Sequence, residues 1–253
     1  MGDDDGLAAD HERARRLVEH LLAHPDCLPF PVTGPRLVET HISWVLLCGD
    51  DVLKLKKPVN MGFIDFSTLA RRDHFAHEEL RLNRRLAPEL YLDVLRITGT
   101  PEDPRVGGEG ALLEPAVHMR QFDPEGQLDL QIEGGLLTPE DVREVAAVIA
   151  RFQAEAPRAE AADDWGTFEA VMAPIRENFE RVRESSESWT DAAGRARAET
   201  IAAALAGLEA RSEHLGAEFR ERIEARRRTG FVREGHGDLH LGNIARTPWG
   251  IRA

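Results

Sequence analysis

The stretch Leu37 to Val59, LVETHISWVLLCGDDVLKLKKPV, decides how the chain is read. Two apolar, β-branched runs flank Gly49-Asp50-Asp51, the pattern of an antiparallel hairpin over roughly residues 37 to 48 and 52 to 57. Alternation along a strand sends successive side chains to opposite faces, so Lys54 and Lys56 share one face and Leu53 and Leu55 the other. One face packs and the other carries charge toward a cleft.

Those lysines stand out against the rest of the chain. Of 32 basic residues only Lys54, Lys56 and Lys57 are lysine, and they fall within four positions. A general need for positive charge is met by arginine everywhere else. The cluster therefore points to a site that uses a compact ammonium, which meets phosphate as a point charge where guanidinium meets it as a flat fork. The plain alternative is an edge strand protected from aggregation by lysine.

Outward from the hairpin, an amphipathic helix is expected over about residues 9 to 24, with Ala14, Leu17, Val18, Leu21 and Leu22 on one face and Pro25 as its stop. Past Pro58, Asp65 or Ser67 can cap a helix that runs to about Leu86 and carries Phe75, Glu79, Leu82 and Leu86 on one stripe. A carboxylate in an apolar seam is costly unless a cation meets it. A strand lysine is the candidate partner for Glu79, while a local pair with Arg81 or Arg84 is the alternative and Glu78 competes for the same role. Residues 91 to 98 and 111 to 119 read as further strands around a loop rich in Gly and Pro. From Gln127 to Arg228 the pattern is helical. It divides into helices from Thr138 to about Ala154, from Trp165 to Glu184 and from Asp191 to Arg228. The change of class near residue 122 sets an expected boundary between an N-terminal lobe, 1–122, and a helical lobe, 123–253.

Near the C-terminal end stands His236-Gly237-Asp238-Leu239-His240-Leu241-Gly242-Asn243. Asp238 and Asn243 are five apart, a spacing at which a carboxylate can orient a hydroxyl while an amide oxygen holds a metal on a nucleotide phosphate. The apolar pairs Phe231-Val232 and Ile244-Ala245 read as short strands that hold this loop. Two other readings stand beside this one. The Asp can serve turn chemistry alone, or His236, Asp238 and His240 can ligate a metal as in a hydrolase.

Composition bounds the rest. A chain of 253 residues with 42% apolar and 30% charged residues can bury a sizeable core. Its net charge of −13 disfavours nucleic acid and favours cationic ligands, and the run Asp3-Asp4-Asp5 reads as a frayed tail. Cys27 and Cys48 make no CxxC motif and no disulfide framework, which suits a cytoplasmic protein. Neither a membrane span nor a signal peptide is expected.

Together these parts give an α+β, protein-kinase-like arrangement of two lobes. The segments THISWVLLCGDDVLKLKKPVNMGFIDFSTL, EELRLNRRLAPELYLDV, HMRQFD and HGDLHLGNI resemble the aminoglycoside phosphotransferase-like kinases, and more narrowly the kinase half of bacterial bifunctional aminoglycoside phosphotransferase and ATP-binding proteins. The resemblance covers nearly all of the chain beyond residue 10. It implies an ATP- and magnesium-dependent phosphotransferase that acts on a hydroxyl of a small molecule. By this resemblance Lys54 grips the α and β phosphates and pairs with Glu79, with Lys56 as competitor. Thr40 to Ser43 takes the place of the phosphate-covering loop but lacks its glycines. The backbone of His118 to Gln121, including Met119 and Gln121, meets adenine; Asp238 is the catalytic base, Asn243 a magnesium ligand, and His236 a brace for the loop.

Two departures accompany the resemblance. Kinases of this type take a second metal-binding carboxylate one hairpin after the asparagine, and IARTPWGIRA ends at Ala253 before one. A fragment, a partner-supplied ligand or lost catalysis are the three expectations that follow. The related bifunctional proteins also carry a C-terminal P-loop ATPase domain, and no G-x-x-x-x-G-K-[ST] occurs here. A non-catalytic nucleotide-binding or regulatory module is therefore the alternative to the kinase, with the metal-dependent hydrolase as a third reading. The acceptor is not written in the helical segments, which show only amphipathic pattern.

Overall fold

In the computed structural model, which describes every residue except Met1, Phe63, Ser188, Thr190 and Asp191, the expected hairpin is β2 (Ser43–Leu47) and β3 (Asp51–Lys56). The first run is not one strand. It breaks at Thr40, whose hydroxyl accepts from the amides of Ile42 and Ser43 and ends β1 (Arg36–Glu39) in a turn. β1 then pairs antiparallel with β2, and β2 pairs with β3 so that Ser43 lies opposite Lys56 and Val45 opposite Lys54.

The alternation expected along β3 holds. Trp44, Leu46, Leu53 and Leu55 enter a core closed by Ala14, Leu17, Val18 and Leu21 of α1 (Gly2–Ala23). The backbone of the acidic run is thus the first turn of a helix rather than the frayed tail expected. The lysine face turns the other way, toward α2 (Leu69–Asn83).

α2 starts later and ends earlier than its sequence pattern suggests. Thr68, not Asp65 or Ser67, is the N-cap, with its hydroxyl accepting from the Arg71 amide at 3.3 Å, while Asp65 caps the Ser67 amide one turn earlier. The inward residues are Arg72, Ala76 and Leu80 beside Glu79, so the stripe of Phe75, Glu79, Leu82 and Leu86 is displaced. Phe75 remains 39% exposed, and Leu86 lies beyond the helix end. Arg72 is fully buried and forms two hydrogen bonds with Glu114, at 2.8 and 2.7 Å.

The remaining strands are β4 (Tyr91–Thr100), β5 (Asp103–Val106) and β6 (Leu112–Arg120). β5 occupies the stretch expected as a loop; Pro101 and Glu102 turn the chain into it, and Gly99, at φ +92 within β4, lies so near β5 that an added Cβ would be 2.3 Å from the Asp103 carbonyl oxygen. All six strands form one antiparallel sheet in the order β1-β2-β3-β6-β4-β5. β6 thereby comes to lie beside β3.

The helical part follows as α3 (Leu128–Glu133), α4 (Pro139–Glu155), α5 (Phe168–Glu187) and α6 (Ala192–Arg228). Asp191, where the last helix was expected to begin, lies outside the described residues. The chain is therefore α+β, with the antiparallel sheet and α1 and α2 first and a mostly helical part after them. Strand content of the sheet ends at Arg120, near the expected boundary at 122, yet the compact units divide elsewhere. One holds residues 1–152 with 236–253, and the other holds 153–235. In the first, Leu128, Ile244 and Ile251 form a small core with Val145, Val148 and Ile149 of α4, which ties the C-terminal segment to the sheet-bearing unit. In the second, α5 and α6 pack through Phe168, Met172 and Leu205 and are joined by Arg176–Glu213 and Arg183–Glu209 pairs.

The C-terminal hairpin is β7 (Ala245–Thr247) and β8 (Gly250–Arg252). Ile244-Ala245 thus leads into a strand as expected, whereas Phe231-Val232 does not form one. Phe231 is 63% exposed, and the adjoining Arg233 makes an isolated bridge with Arg158 and donates to the carbonyls of Ala154 and Ala156. Among the described residues no helix is long and apolar enough to cross a membrane, and Cys27 and Cys48 are free thiols.

Candidate active site

Glu79 projects from α2 between two lysines of β3. Its Oε1 accepts from Lys54 Nζ at 2.7 Å and its Oε2 from Lys56 Nζ at 2.6 Å. Glu78, the competitor, turns instead to Arg81 three residues on. Burial works against the charged form of both partners, since each loses solvation. For Glu79 the two ammoniums outweigh that cost and hold the carboxyl below its ordinary range; for Lys54 the carboxylate of Glu79, with Tyr91 and the hydrogen bond, raises the ammonium above its own. One carboxylate shared by two ammoniums leaves the trio with a charge of +1, offered to an anion. Lys54, 30% exposed, is the outward lysine; Lys56, 8% exposed, sits 4.8 Å from the ring centre of Phe66.

The loop of residues 236–243 belongs to the same compact unit. Gly237 takes φ +84, a conformation that side chains disfavour, and lets the Asp238 amide reach His236 Nδ1 at 3.3 Å. Asn243 Nδ2 donates to the Asp238 carbonyl at 2.9 Å and to its Oδ2 at 3.1 Å. With its nitrogen so engaged, the amide oxygen of Asn243 is directed away from Asp238. His240 caps the short 3₁₀ turn Leu241–Asn243 by accepting from the Gly242 amide at 3.2 Å. Both imidazoles therefore spend Nδ1 on the backbone, and among the described residues no three His, Cys, Asp or Glu side chains gather as a metal site.

The loop is held from a segment whose role sequence reasoning missed. Gln127 Nε2 donates to the Gly242 carbonyl at 3.1 Å, and the Leu128 amide donates to the Ile244 carbonyl at 2.9 Å. Gly126 passes so near β7 that an added Cβ would lie 2.3 Å from the Arg246 carbonyl oxygen. Arg246 in turn pairs with Asp141 at 2.7 Å; hydrogen bonds from Arg246 and Thr138 keep the Asp141 carboxyl well below its ordinary range. These contacts join α4, the 124–128 turn and the candidate catalytic loop.

A cavity of about 460 Å³ opens where these pieces meet. Lys54, Glu79, Met119, His236, Asp238 and Asn243 line it, so six of the nine site residues expected from sequence meet in one place. Ser43, Lys56 and Gln121 are not among its lining residues. Ser43 is buried with its hydroxyl unpartnered, Gln121 keeps a buried side-chain oxygen unpartnered, and His118 turns aside to Asp51 at 2.6 Å and stacks on Phe30. Tyr91, Phe122, Gln127 and Arg252 also line it, and Arg252 is fixed by two 2.8 Å hydrogen bonds to Glu89. Their only sequence signal was proximity to predicted elements. A second cavity, about 480 Å³, shares Glu79, Asn83, His236 and Asp238 with the first and adds Lys56, Phe66 and Phe75.

Over 225 aligned residues, 86% of this chain, the sequence is 31% identical to the uncharacterized proteins Mb2027c of Mycobacterium bovis and Rv2004c of Mycobacterium tuberculosis. No family model matches the chain. It spans 41% of the length of these relatives.

Proposed function

We propose that the protein is a phosphotransferase of the aminoglycoside phosphotransferase-like type, with a protein-kinase-like fold, moving the γ-phosphoryl group of ATP to a hydroxyl of a small molecule. The observation that carries this reading is the shared cavity: a strand lysine paired with a helix glutamate faces the same space as Asp238 and Asn243. The strand order supports it, because β3 with its lysine lies beside β6, whose end at Met119 and Arg120 leads into the rest of the chain.

In this mechanism Lys54 meets the phosphates while Lys56 keeps Glu79 charged and in place. Asp238, whose side chain is 79% exposed, accepts a hydrogen bond from the acceptor hydroxyl and takes its proton as transfer proceeds. The hydroxyl oxygen bonds to the γ-phosphorus as the bond from that phosphorus to the β–γ bridging oxygen breaks, and ADP leaves with the electron pair. Positioning and charge supply the rate enhancement, with no covalent enzyme intermediate. Magnesium binds through hard oxygens and takes much of its shell from water and substrate phosphates; the donor this loop would offer it is the Asn243 amide oxygen, since the amide nitrogen is the atom bonded to Asp238. Bound there it would neutralise phosphate charge.

Asp238→Asn tests the assignment. Thermal shift with ATP and magnesium should persist while ADP release falls by about 100-fold or more; retained turnover refutes the role of Asp238. A second reading, a nucleotide-binding module without transfer, is favoured by one observation. Among the described residues, the side-chain carboxylates that line the cavity are Glu79, engaged by the lysines, and Asp238. ATP binding with no ADP release from the wild-type chain would select that reading. A partner P-loop ATPase domain, the cytoplasmic location and the absence of nucleic-acid partners belong to the same proposal.

A further inference from the structure

Helices α5 and α6 form an antiparallel pair within the 153–235 unit, which holds none of the proposed site residues. Phe168, Met172 and Phe179 of α5 and Leu205, Ser212 and Gly216 of α6 make the seam; an added Cβ at Gly216 would lie 2.7 Å from the Met172 sulfur. Ion pairs close one side of it. Arg176 meets Glu213, Arg183 meets Glu209 and Arg220 meets Glu169, all standing one or four positions beyond a seam residue.

The other side is open. Val171, Ile175 and Val182 stand three positions beyond seam residues of α5, and Leu208, Leu215 and Phe219 three beyond those of α6. Equal steps from the seam of an antiparallel pair lead to the same side, so these six side chains, 36 to 58% exposed, form one apolar strip along both helices. A helical layer with such a side buries it against another element.

The charges that border the strip constrain that element. Leu208, Arg211, Leu215, Phe219, Arg222 and Arg226 succeed one another at spacings of three or four, which makes the arginines neighbours of the apolar residues. None of these three guanidiniums has a carboxylate partner among the described residues, in contrast to Arg176, Arg183 and Arg220 on the far side. Glu218 is the acid on this flank of α6, and Arg181 on α5 is already paired with Glu177. At the end of the strip Arg226 stacks on the exposed ring of Phe231 at 4.9 Å, and both line a cavity of about 470 Å³ with Arg233 and no carboxylate. A chain of net charge −13 thus gathers unpaired cations along its open apolar strip. A second copy would bring the same arginine row, whereas an acidic border complements it.

We propose that this strip is a docking surface for an amphipathic helix of a partner protein, apolar along its contact side and acidic at its edges, which packs on α5 and α6 as a third helix.

The test titrates the full chain into two fluorescein-labelled helical peptides with the same leucine stripe, one flanked by glutamate and one by lysine, and reads anisotropy. Wild type is compared with Arg211→Glu/Arg222→Glu and with Leu208→Ser/Leu215→Ser, all at exposed positions outside the seam, with far-UV circular dichroism to verify that both variants keep their helices. The glutamate-flanked peptide should bind wild type and bind each double variant about tenfold or more weakly, while the charge reversal admits the lysine-flanked peptide. No binding of the glutamate-flanked peptide, equal binding of both peptides by wild type, or unchanged affinity in either folded variant overturns the proposal. So does a wild-type dimer in analytical ultracentrifugation that Leu208→Ser/Leu215→Ser dissociates, because the strip then belongs to a second copy.

Discussion

Replacing Glu79 by Gln probes the centre of the site with almost no change of shape. The amide keeps one acceptor oxygen but puts an NH2 group against the second ammonium, so Lys54 and Lys56 lose their shared countercharge in a largely buried setting. Breaking a fully buried pair costs about 3 to 5 kcal/mol; Lys54 is 30% exposed and one oxygen still accepts, so about 2 to 4 kcal/mol is expected here. The pH dependence makes the prediction specific. Glu79 has a folded value below its ordinary 4.5, so its contribution is present above that value and disappears as pH falls through the folded one. Lys54 has a folded value above its ordinary 10.5, so its contribution is full below that value and disappears as pH rises through the folded one. The stability gap between wild type and Glu79→Gln should therefore be widest from about pH 5 to 10 and close at both ends. Urea denaturation followed by far-UV circular dichroism across pH measures it. A variant as stable as wild type at neutral pH, or a gap of constant size at every pH, would refute the account of two lysines held by one carboxylate.

Other changes isolate other links. Arg72→Met strands the buried Glu114 carboxylate and should cost about 3 to 5 kcal/mol by chemical denaturation, while Arg72→Met/Glu114→Met should recover most of it; an equally unstable double variant would rule out the unpaired charge as the cause. Gly126→Ala forces a Cβ onto the Arg246 carbonyl and should destabilise by about 1 to 3 kcal/mol, with faster hydrogen exchange at the Ile244 and Ala245 amides; unchanged exchange would show that the turn does not support the loop. Lys54→Met should abolish the ATP-dependent thermal shift, and a shift of wild-type size in that variant would remove Lys54 from the nucleotide site.

What could be read from sequence was local or periodic. The β2–β3 hairpin follows from alternation around Gly49-Asp50-Asp51, and with it the face that Lys54 and Lys56 share. Helix α2 could be placed but not phased. Thr68 rather than Ser67 caps it, and its inward line begins at Arg72, a residue whose burial makes sense only with Glu114 opposite, 42 residues away. β5 was hidden because Pro101, Pro104 and a run of glycines imitate a loop, while strand pairing with β4 is a long-range choice that tertiary context makes. Phe231-Val232 had the composition of a strand but meets only a short stretch of partner, where the Val232 carbonyl accepts from the Ala159 amide and Arg233 bridges to Arg158. Gln127, Tyr91 and Arg252 carried no signal beyond lying in or beside an expected element, because their contacts to Gly242, the first cavity and Glu89 arise only once distant segments meet.

The economy of lysine is the point at which sequence and geometry bear on each other most directly. Lys54 and Lys56 were expected to compete for one role, yet the three lysines divide the work. Lys54 faces the cavity, Lys56 holds the other oxygen of Glu79, and Lys57 leaves the site to bind Glu39 and the Thr40 carbonyl, closing the turn between β1 and β2. A guanidinium at Lys54 or Lys56 would take both oxygens of Glu79 in its flat fork and displace its neighbour, whereas two ammoniums bind one oxygen each. Lysine at both positions is thus what allows one carboxylate to anchor two cations and leave a net positive charge at the cavity wall. At other places in the chain arginine does use that fork, as in the two-pronged pairs of Arg176 with Glu213 and Arg252 with Glu89.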